Sequence, residues 1–236
     1  MDSRETRDWA REAKFLVPAE LRPRIVAWSR ANLGPDGHGA GIHADEYATS
    51  SLYFETPNYD VFRRRQSYGR SKYRIRRYGL SEIIFLERKF RTERLLAKRR
   101  TTVPVADLDR LAGDRPDRTW QGYWFHRRIL LRGLRPWIQM SYDRVARVGT
   151  SGTGPVRITI DTNLRVLPLP DRAFLPGTGF PLIEDKCIIE VKYRVEMPAV
   201  FKRLAEEFGL EIQRVSKYRL GLKALDFPLP EDDDTA

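Results

Sequence analysis

The chain has 236 residues, 41% of them hydrophobic and 11% aromatic, with a formal net charge of +11. That content suffices for a sizeable core, and no apolar run approaches the roughly 20 residues of a membrane-spanning helix. A single cysteine, Cys187, excludes an internal disulfide framework and fits a reducing compartment, so the expected location is cytoplasmic.

In chain order, residues 1–10 read as a polar leader without a signal-peptide core. Glu12–Val17 suits a short strand, with Lys14 and Leu16 on one face and Phe15 and Val17 on the other. Pro18 opens a helical stretch over Ala19–Leu33, and Gly34–Gly39 is a loop. Tyr47–Glu55 is strand-like, and Tyr59–Gln66 is expected as a short helix. Lys98–Val103 suits a strand, Pro104–Leu111 a small helix and Tyr123–Leu134 an amphipathic helix. Pro136–Arg147, Val156–Asp161 and Cys187–Arg194 alternate as strands, the last with Glu190, Lys192 and Arg194 opposite Ile189, Val191 and Tyr193. Pro168–Pro181 is a loop, and Met197–Phe208 is a helix closed by Gly209. With no convincing linker, the reading is a single α+β domain over 11–225 followed by an acidic tail, 226–236, that suits disorder.

The charge is concentrated in one place. Between Arg63 and Arg100 lie 15 of the 43 Lys and Arg but only three acids, Glu82, Glu87 and Glu93, so this stretch carries +12. Within it, Lys72, Arg74 and Arg76 share one face of a strand, and Ile83–Phe90 reads as its hairpin partner across the Tyr78–Ser81 turn. Like charges so spaced repel and call for an anionic partner, most simply a polyanion. Several strands carry charges opposite their apolar face. Such faces either meet water or, in a closed barrel, line an aqueous lumen.

The motifs Lys14-Phe15, Ser51–Thr56, Asp60–Arg65, Tyr73–Gly79, Phe85–Lys89, Tyr142–Arg144, Val156–Asp161, Ile189–Lys192 and Ser216–Tyr218 occur in an order that resembles the VTC-domain polyphosphate polymerases. These belong to the CYTH-like triphosphate tunnel metalloenzyme superfamily, and the resemblance spans Lys14 to Gly221. It implies an antiparallel β-tunnel, a closed barrel with flanking helices, charged inside. The implied activity transfers the ATP γ-phosphate to a growing polyphosphate chain, with Mn²⁺ or Mg²⁺ as cofactor. It implies phosphate-binding roles for Lys14, Arg65, Arg74, Arg76, Lys89, Arg144, Arg157, Ser216 and Lys217. Arg74, Arg76, Lys89 and Glu190 would be catalytic, with Glu190 as the metal carboxylate. The chemistry of the residues agrees, because phosphoryl transfer needs positioning and charge neutralisation, which Arg forks, Lys ammoniums and a metal-binding carboxylate supply.

One departure concerns the paired glutamates with which the broader superfamily often opens. The matching stretch here, Ala10–Lys14, holds only Glu12. Taken singly, Glu190 also suits a salt bridge to Lys192, and Glu87 could pair with Lys89 on its face. Arg144, Arg157, Lys14 and Lys217 would be ordinary surface charges without the resemblance. His38, His43 and His126 are read as loop or surface residues, and Trp120, Tyr123, Trp124 and Phe125 as core. Cys187 reads as a small buried residue and Lys98–Arg100 as a solvated charge run. The alternatives are a triphosphatase and a non-catalytic polyphosphate or inositol-polyphosphate binding module. Nucleic acid is disfavoured as a partner, since it predicts a basic outer stripe. A membrane partner and the oligomeric state are left open.

Overall fold

The structure is a computed structural model that describes residues 11–91, 96–169, 172–176, 179–225 and 227. The expected leader and the acidic run Glu231–Asp234 lie outside the described residues.

The first strand, β1 (Arg11–Pro18), leads through a 3-10 turn at Ala19–Leu21 into helix α1 (Arg22–Asn32). A two-residue strand, β2 (Gly34–Pro35), precedes β3 (Glu46–Glu55), β4 (Ser71–Tyr78), β5 (Ile83–Arg91) and β6 (Leu96–Pro104). A 3-10 helix at Val105–Ala112 and α2 (Tyr123–Leu131) follow, then β7 (Arg135–Ser151), β8 (Gly154–Pro168), β9 (Phe180–Pro181) and β10 (Lys186–Tyr193). Helices α3 (Ala199–Phe208) and α4 (Lys217–Ala224) complete the chain, and Gly209 ends α3 in the left-handed conformation. All ten strands form one sheet in the order β1-β10-β8-β7-β3-β4-β5-β6, with β2 on β7 and β9 on β8. Each named strand pair is antiparallel.

The sheet is not a closed barrel, which corrects that expectation. No backbone ladder joins the edge strands β1 and β6 among the described residues. Side chains instead span from the edge strand β1 to β5, the neighbour of the edge strand β6. Lys89 of β5 reaches Glu12 of β1 at 3.0 Å, so long charged side chains fill the seam where a backbone ladder would otherwise run. The result is a rolled sheet with a charged inner face.

Its outer face carries two cores. Ala13, Phe15, Val17, Ile158, Ile160, Ile189 and Val191 pack under α1 and α3, against Ile25, Phe201 and Leu204. Tyr73, Ile75, Ile84 and Leu86 pack near Leu108, Leu111, Trp124 and Phe125. Period-2 alternation therefore buries every second residue outside and leaves the charged ones within. Trp120, Trp124 and Phe125 are core residues as expected, Tyr123 is only half-buried, and Cys187 is buried.

Three local expectations are corrected. Instead of one helix over 59–66, turns run to residue 65 and a 3-10 helix begins only at Gln66, over Gln66–Arg70. Tyr59, Arg64 and Gln66 take positive φ, and the buried Glu55 carboxylate accepts the backbone N–H groups of Thr56, Val61 and Phe62. A side chain thus satisfies donors that a helix would otherwise pair. His126 is buried in α2, its Nε2 donating to the Gly113 carbonyl at 2.8 Å, whereas His38 and His43 are exposed. Lys98–Arg100 is not a solvated run either. Lys98 and Arg100 turn inward, and Arg99 stacks outside over Trp124 at 4.3 Å.

Candidate phosphate-binding site

The inner face draws its charges from seven strands, β1, β4, β5, β6, β7, β8 and β10, and from the start of α4. On β4 the alternation places Lys72, Arg74, Arg76 and Tyr78 inward, and β5 supplies Phe85, Glu87 and Lys89 opposite them. Lys72 faces Lys89 directly across the ladder, an arrangement that destabilises a sheet unless something anionic intervenes. Glu87, 1% exposed, is the hub of this wall. Arg74 Nε donates to it at 2.6 Å, Arg100 Nε at 2.7 Å, and Lys98 Nζ lies 2.8 Å away. Burial opposes its ionisation, but Arg74, Lys98, Arg76 and Arg100 hold its pKa well below the carboxylate range. Glu87 therefore pairs with Arg74, Lys98 and Arg100, while Lys89 takes Glu12.

A second hub is Asp161 on β8. Arg144 of β7 grips it with two hydrogen bonds, from Nε at 2.6 Å and Nη2 at 2.8 Å, and Lys217 at the start of α4 approaches to 2.7 Å. Despite burial, those two cations depress the Asp161 pKa to about 2. The third centre joins β1 and β10. Lys14 Nζ lies 2.9 Å from Glu12 and 3.4 Å from Glu190, and Lys192 lies 3.1 Å from Glu190. Burial and Glu190 both oppose ionisation of Glu12, yet Lys89, Lys14 and Lys192 outweigh them and hold it at about 2. Glu190 is likewise pulled well below its ordinary range by Lys192 and Lys14 against the cost of burial. Both carboxylates are thus ionised and share the Lys14 ammonium, and Lys192 lies 3.9 Å from Glu12 as well.

Two inward cations have no carboxylate partner among the described residues. Arg76 donates to the Ser51 and Tyr142 hydroxyls at 3.1 and 2.9 Å. Lys72 donates to Ser216 Oγ at 3.1 Å and lies 5.2 Å from the Tyr218 ring centroid. Burial first, then Lys14 and Lys89, bring the Lys72 pKa down to about 7. The structure therefore gathers Lys14, Arg74, Arg76, Lys89, Arg144, Glu190, Ser216 and Lys217 on one interior surface. Arg157 lies at its edge, donating to Asp36 at 3.0 Å and to the Tyr47 hydroxyl at 2.9 Å. Arg65 is apart from the others, half-exposed in the turn before β4 and paired with Asp60 at 3.3 Å.

Sequence reasoning placed Lys72 on the cationic face of its strand but not among the implied ligands, and left Lys98, Arg100, Glu12, Asp161 and Lys192 out of them too. The signal for most of them was present, since each lies two residues along a strand from an inward charge. Glu12 sits two residues before Lys14 and so shares its face.

A bulge in β8 explains how one surface can be charged and also capped. Between Ser141 and Asp143 of β7 the register with β8 shifts, and Asn163 takes φ 52°, its side chain donating to Asp143 at 2.6 Å. The extra residue reverses the alternation. Arg157, Thr159 and Asp161 face inward before it, and Leu164 and Val166 face inward after it. The apolar end so created, with Ile138 and Met140, receives α4. A Cβ on Gly221 would come within 2.5 Å of Met140 Sδ and 3.1 Å of Val166, so the helix approaches as only glycine permits. Tyr218 donates its hydroxyl to Glu55, which anchors the helix. This seating delivers Ser216 and Lys217 to the charged surface.

Among the described residues no group of three or more His, Cys, Asp or Glu gathers, and no helix is long and apolar enough to cross a membrane. The donors that fit a hard divalent cation are the ionised oxygens of Glu12 and Glu190. Such ions take one or two carboxylates and complete their shell with water and substrate phosphate.

Comparison with known proteins is consistent with this geometry. The family model described as the VTC domain matches residues 10–226. No curated protein matches the sequence. Among solved structures, a Bacillus halodurans protein provisionally assigned as an adenylate cyclase aligns at 16% identity with a TM-score of 0.52, covering 87% of this chain and 92% of its own. It shares the fold. A Hippeastrum protein, described as having a dominant triphosphatase activity, aligns at 14% identity with a TM-score of 0.49, covering 93% of this chain and 98% of its own.

Proposed function

Because the chain belongs to the VTC-domain family, we propose that it is a polyphosphate polymerase, transferring the γ-phosphoryl group of ATP to the end of a polyphosphate chain and releasing ADP. The observation that carries this reading is the surplus of inward cations. Glu12, Glu87, Asp161 and Glu190 are each already shared by two or more Lys or Arg. Arg76 and Lys72 have only hydroxyl partners. A chain of phosphates satisfies such a surface along its length.

Arg74, Arg76 and Arg144 would hold phosphoryl oxygens through bidentate forks, while Lys14, Lys72, Lys89 and Lys217 add point charges. Ser216 would donate a hydroxyl hydrogen bond at the α4 N-terminus. Glu12 and Glu190 would hold Mn²⁺ or Mg²⁺, which supplies charge neutralisation at the phosphoryl oxygens. The protein's own part is alignment of donor and acceptor, with little covalent chemistry to perform.

The test is incubation of purified protein with ATP and Mn²⁺ or Mg²⁺, measuring ADP and long-chain polyphosphate together, with Glu190→Ala and Arg74→Ala as controls. Polymer that both substitutions abolish is the expected result. Free phosphate without polymer would make the protein a triphosphatase, and tight tripolyphosphate binding without turnover would make it a binding module.

A further inference from the structure

The inner face is not charged throughout. Continuing inward along β3, β4 and β5, the alternation ends in three aromatic rings, Tyr47, Tyr78 and Phe85, each half-buried. The Tyr47 and Tyr78 centroids are 5.1 Å apart, and those of Tyr78 and Phe85 are 5.3 Å apart. This cluster differs from the aromatic residues of the outer core, which have no solvent-facing role. It adjoins the charged wall around Glu87: Arg100 donates to the Tyr78 hydroxyl at 3.3 Å and lies 4.4 Å from the Phe85 ring centroid.

One further ring rests on the cluster. The exposed His38 belongs to the Asp36–Asp45 loop, yet its imidazole centroid is 5.0 Å from Tyr78, 6.3 Å from Phe85 and 6.4 Å from Tyr47. A flat heteroaromatic ring from a glycine-rich loop therefore sits on three rings contributed by the rolled sheet. Nothing apolar in the sequence of a triphosphate tunnel requires this, because phosphate has no use for aromatic faces.

We infer that Tyr47, Tyr78 and Phe85 form a nucleobase platform, on which the base of a nucleoside triphosphate stacks in place of the His38 ring while its phosphates enter the arginine surface beside it. Stacking of this kind tolerates any base, since every base has a π-face. The inference rests on the proposed use of a nucleotide donor and goes beyond it, because a bare triphosphate would engage the arginines without touching the platform.

The experiment compares binding of ATP and of inorganic tripolyphosphate, each with Mg²⁺, to the native protein and to Tyr78→Leu and Phe85→Leu. Each substitution is expected to weaken ATP roughly tenfold and to leave tripolyphosphate within about twofold. The unchanged tripolyphosphate affinity also shows that the variant is folded. Independently of any variant, 2-aminopurine riboside triphosphate bound to the native protein should lose fluorescence through ring stacking. Equal weakening of ATP and tripolyphosphate, no weakening of either, or an unquenched bound 2-aminopurine would overturn the platform while the phosphate-binding site stood. If native protein bound neither anion, the proposed function itself would fall, a different and recognisable result.

Discussion

Glu190 and Lys72 show most directly how single residues on this surface answer to their surroundings. Glu190 is surrounded by lysines, so a structural role and a metal-binding role make opposite claims about its neutral variant. If it holds the metal, Glu190→Gln should lower turnover at least about 100-fold. Metal-free tripolyphosphate affinity should be equal or tighter, because a negative charge has left an anion site. A variant that loses tripolyphosphate binding along with turnover would show that Glu190 merely orders its neighbours. Lys72 makes a prediction about protons. With its folded pKa near 7 instead of 10.5, the unfolded chain holds a proton that the fold does not between those values. Stability from this group therefore rises with pH through that window, and below pH 7 the cost of the buried charge is fully felt. Lys72→Met should stabilise the protein at pH 6 and change little above about pH 10. A bound polyanion restores the charge, so tripolyphosphate binding at pH 8 should take up protons, less so in Lys72→Met. Calorimetry in buffers of different ionisation heat reads this uptake, and an uptake identical in both proteins would remove Lys72 from the site.

At the scale of elements, the decisive device is the β8 bulge with the helix it admits. Replacing Asn163 by Val forces a β-branched residue to φ 52°, at a cost of about 1–2 kcal/mol, and releases Asp143. Gly221→Val drives side-chain atoms into Met140, Ile138 and Val166 and should displace α4. Because α4 carries Lys217 to Asp161 and sets Ser216 beside Lys72, Gly221→Val is expected to weaken tripolyphosphate binding at least fivefold, with a lower denaturation midpoint. Asn163→Val should lower the midpoint with a smaller effect on binding. Full binding by Gly221→Val, with a normal midpoint, would mean that α4 does not deliver the ligands. These devices also mark the boundary of what the sequence made legible. Strict alternation in Lys72–Tyr78 and Cys187–Arg194 exposed the strands and the inward charges, because a period of two needs no partner to be seen. The phase reversal at Asn163 depends on pairing with β7, and the absence of one helix over residues 59–66 depends on Glu55 satisfying amides up to seven residues away. The open seam was illegible for the same reason: it is set by whether two edge strands, distant in sequence, come close enough for backbone or only for side-chain contact. Among the site residues, Glu12 was underrated because its worth lies across the ladder on β10, where it stands opposite Lys192 and shares Lys14 with Glu190.

The whole molecule is a compromise between two strong demands, an apolar exterior sheet face that helices cover and an interior whose cations outnumber its carboxylates. Burial of the outer cores must outweigh the mutual repulsion within, so the ligand-free fold carries electrostatic stress that a polyanion relieves. A ligand that binds only the folded state at 100 times its Kd adds about 2.7 kcal/mol. For a domain of this size each kcal/mol moves the midpoint roughly 2–4 °C. Tripolyphosphate should therefore raise Tm by roughly 5–10 °C at saturating millimolar concentration. Sodium chloride at matched ionic strength should raise it far less, since screening weakens repulsion without supplying converging oxygens. Salt should also erode the tripolyphosphate effect when both are present, because it competes for the same cations. Melting curves recorded across that two-way titration test the balance directly. If chloride reproduced the whole shift, the interior would be answering to ionic strength alone, and its converging Arg and Lys would not constitute a phosphate site.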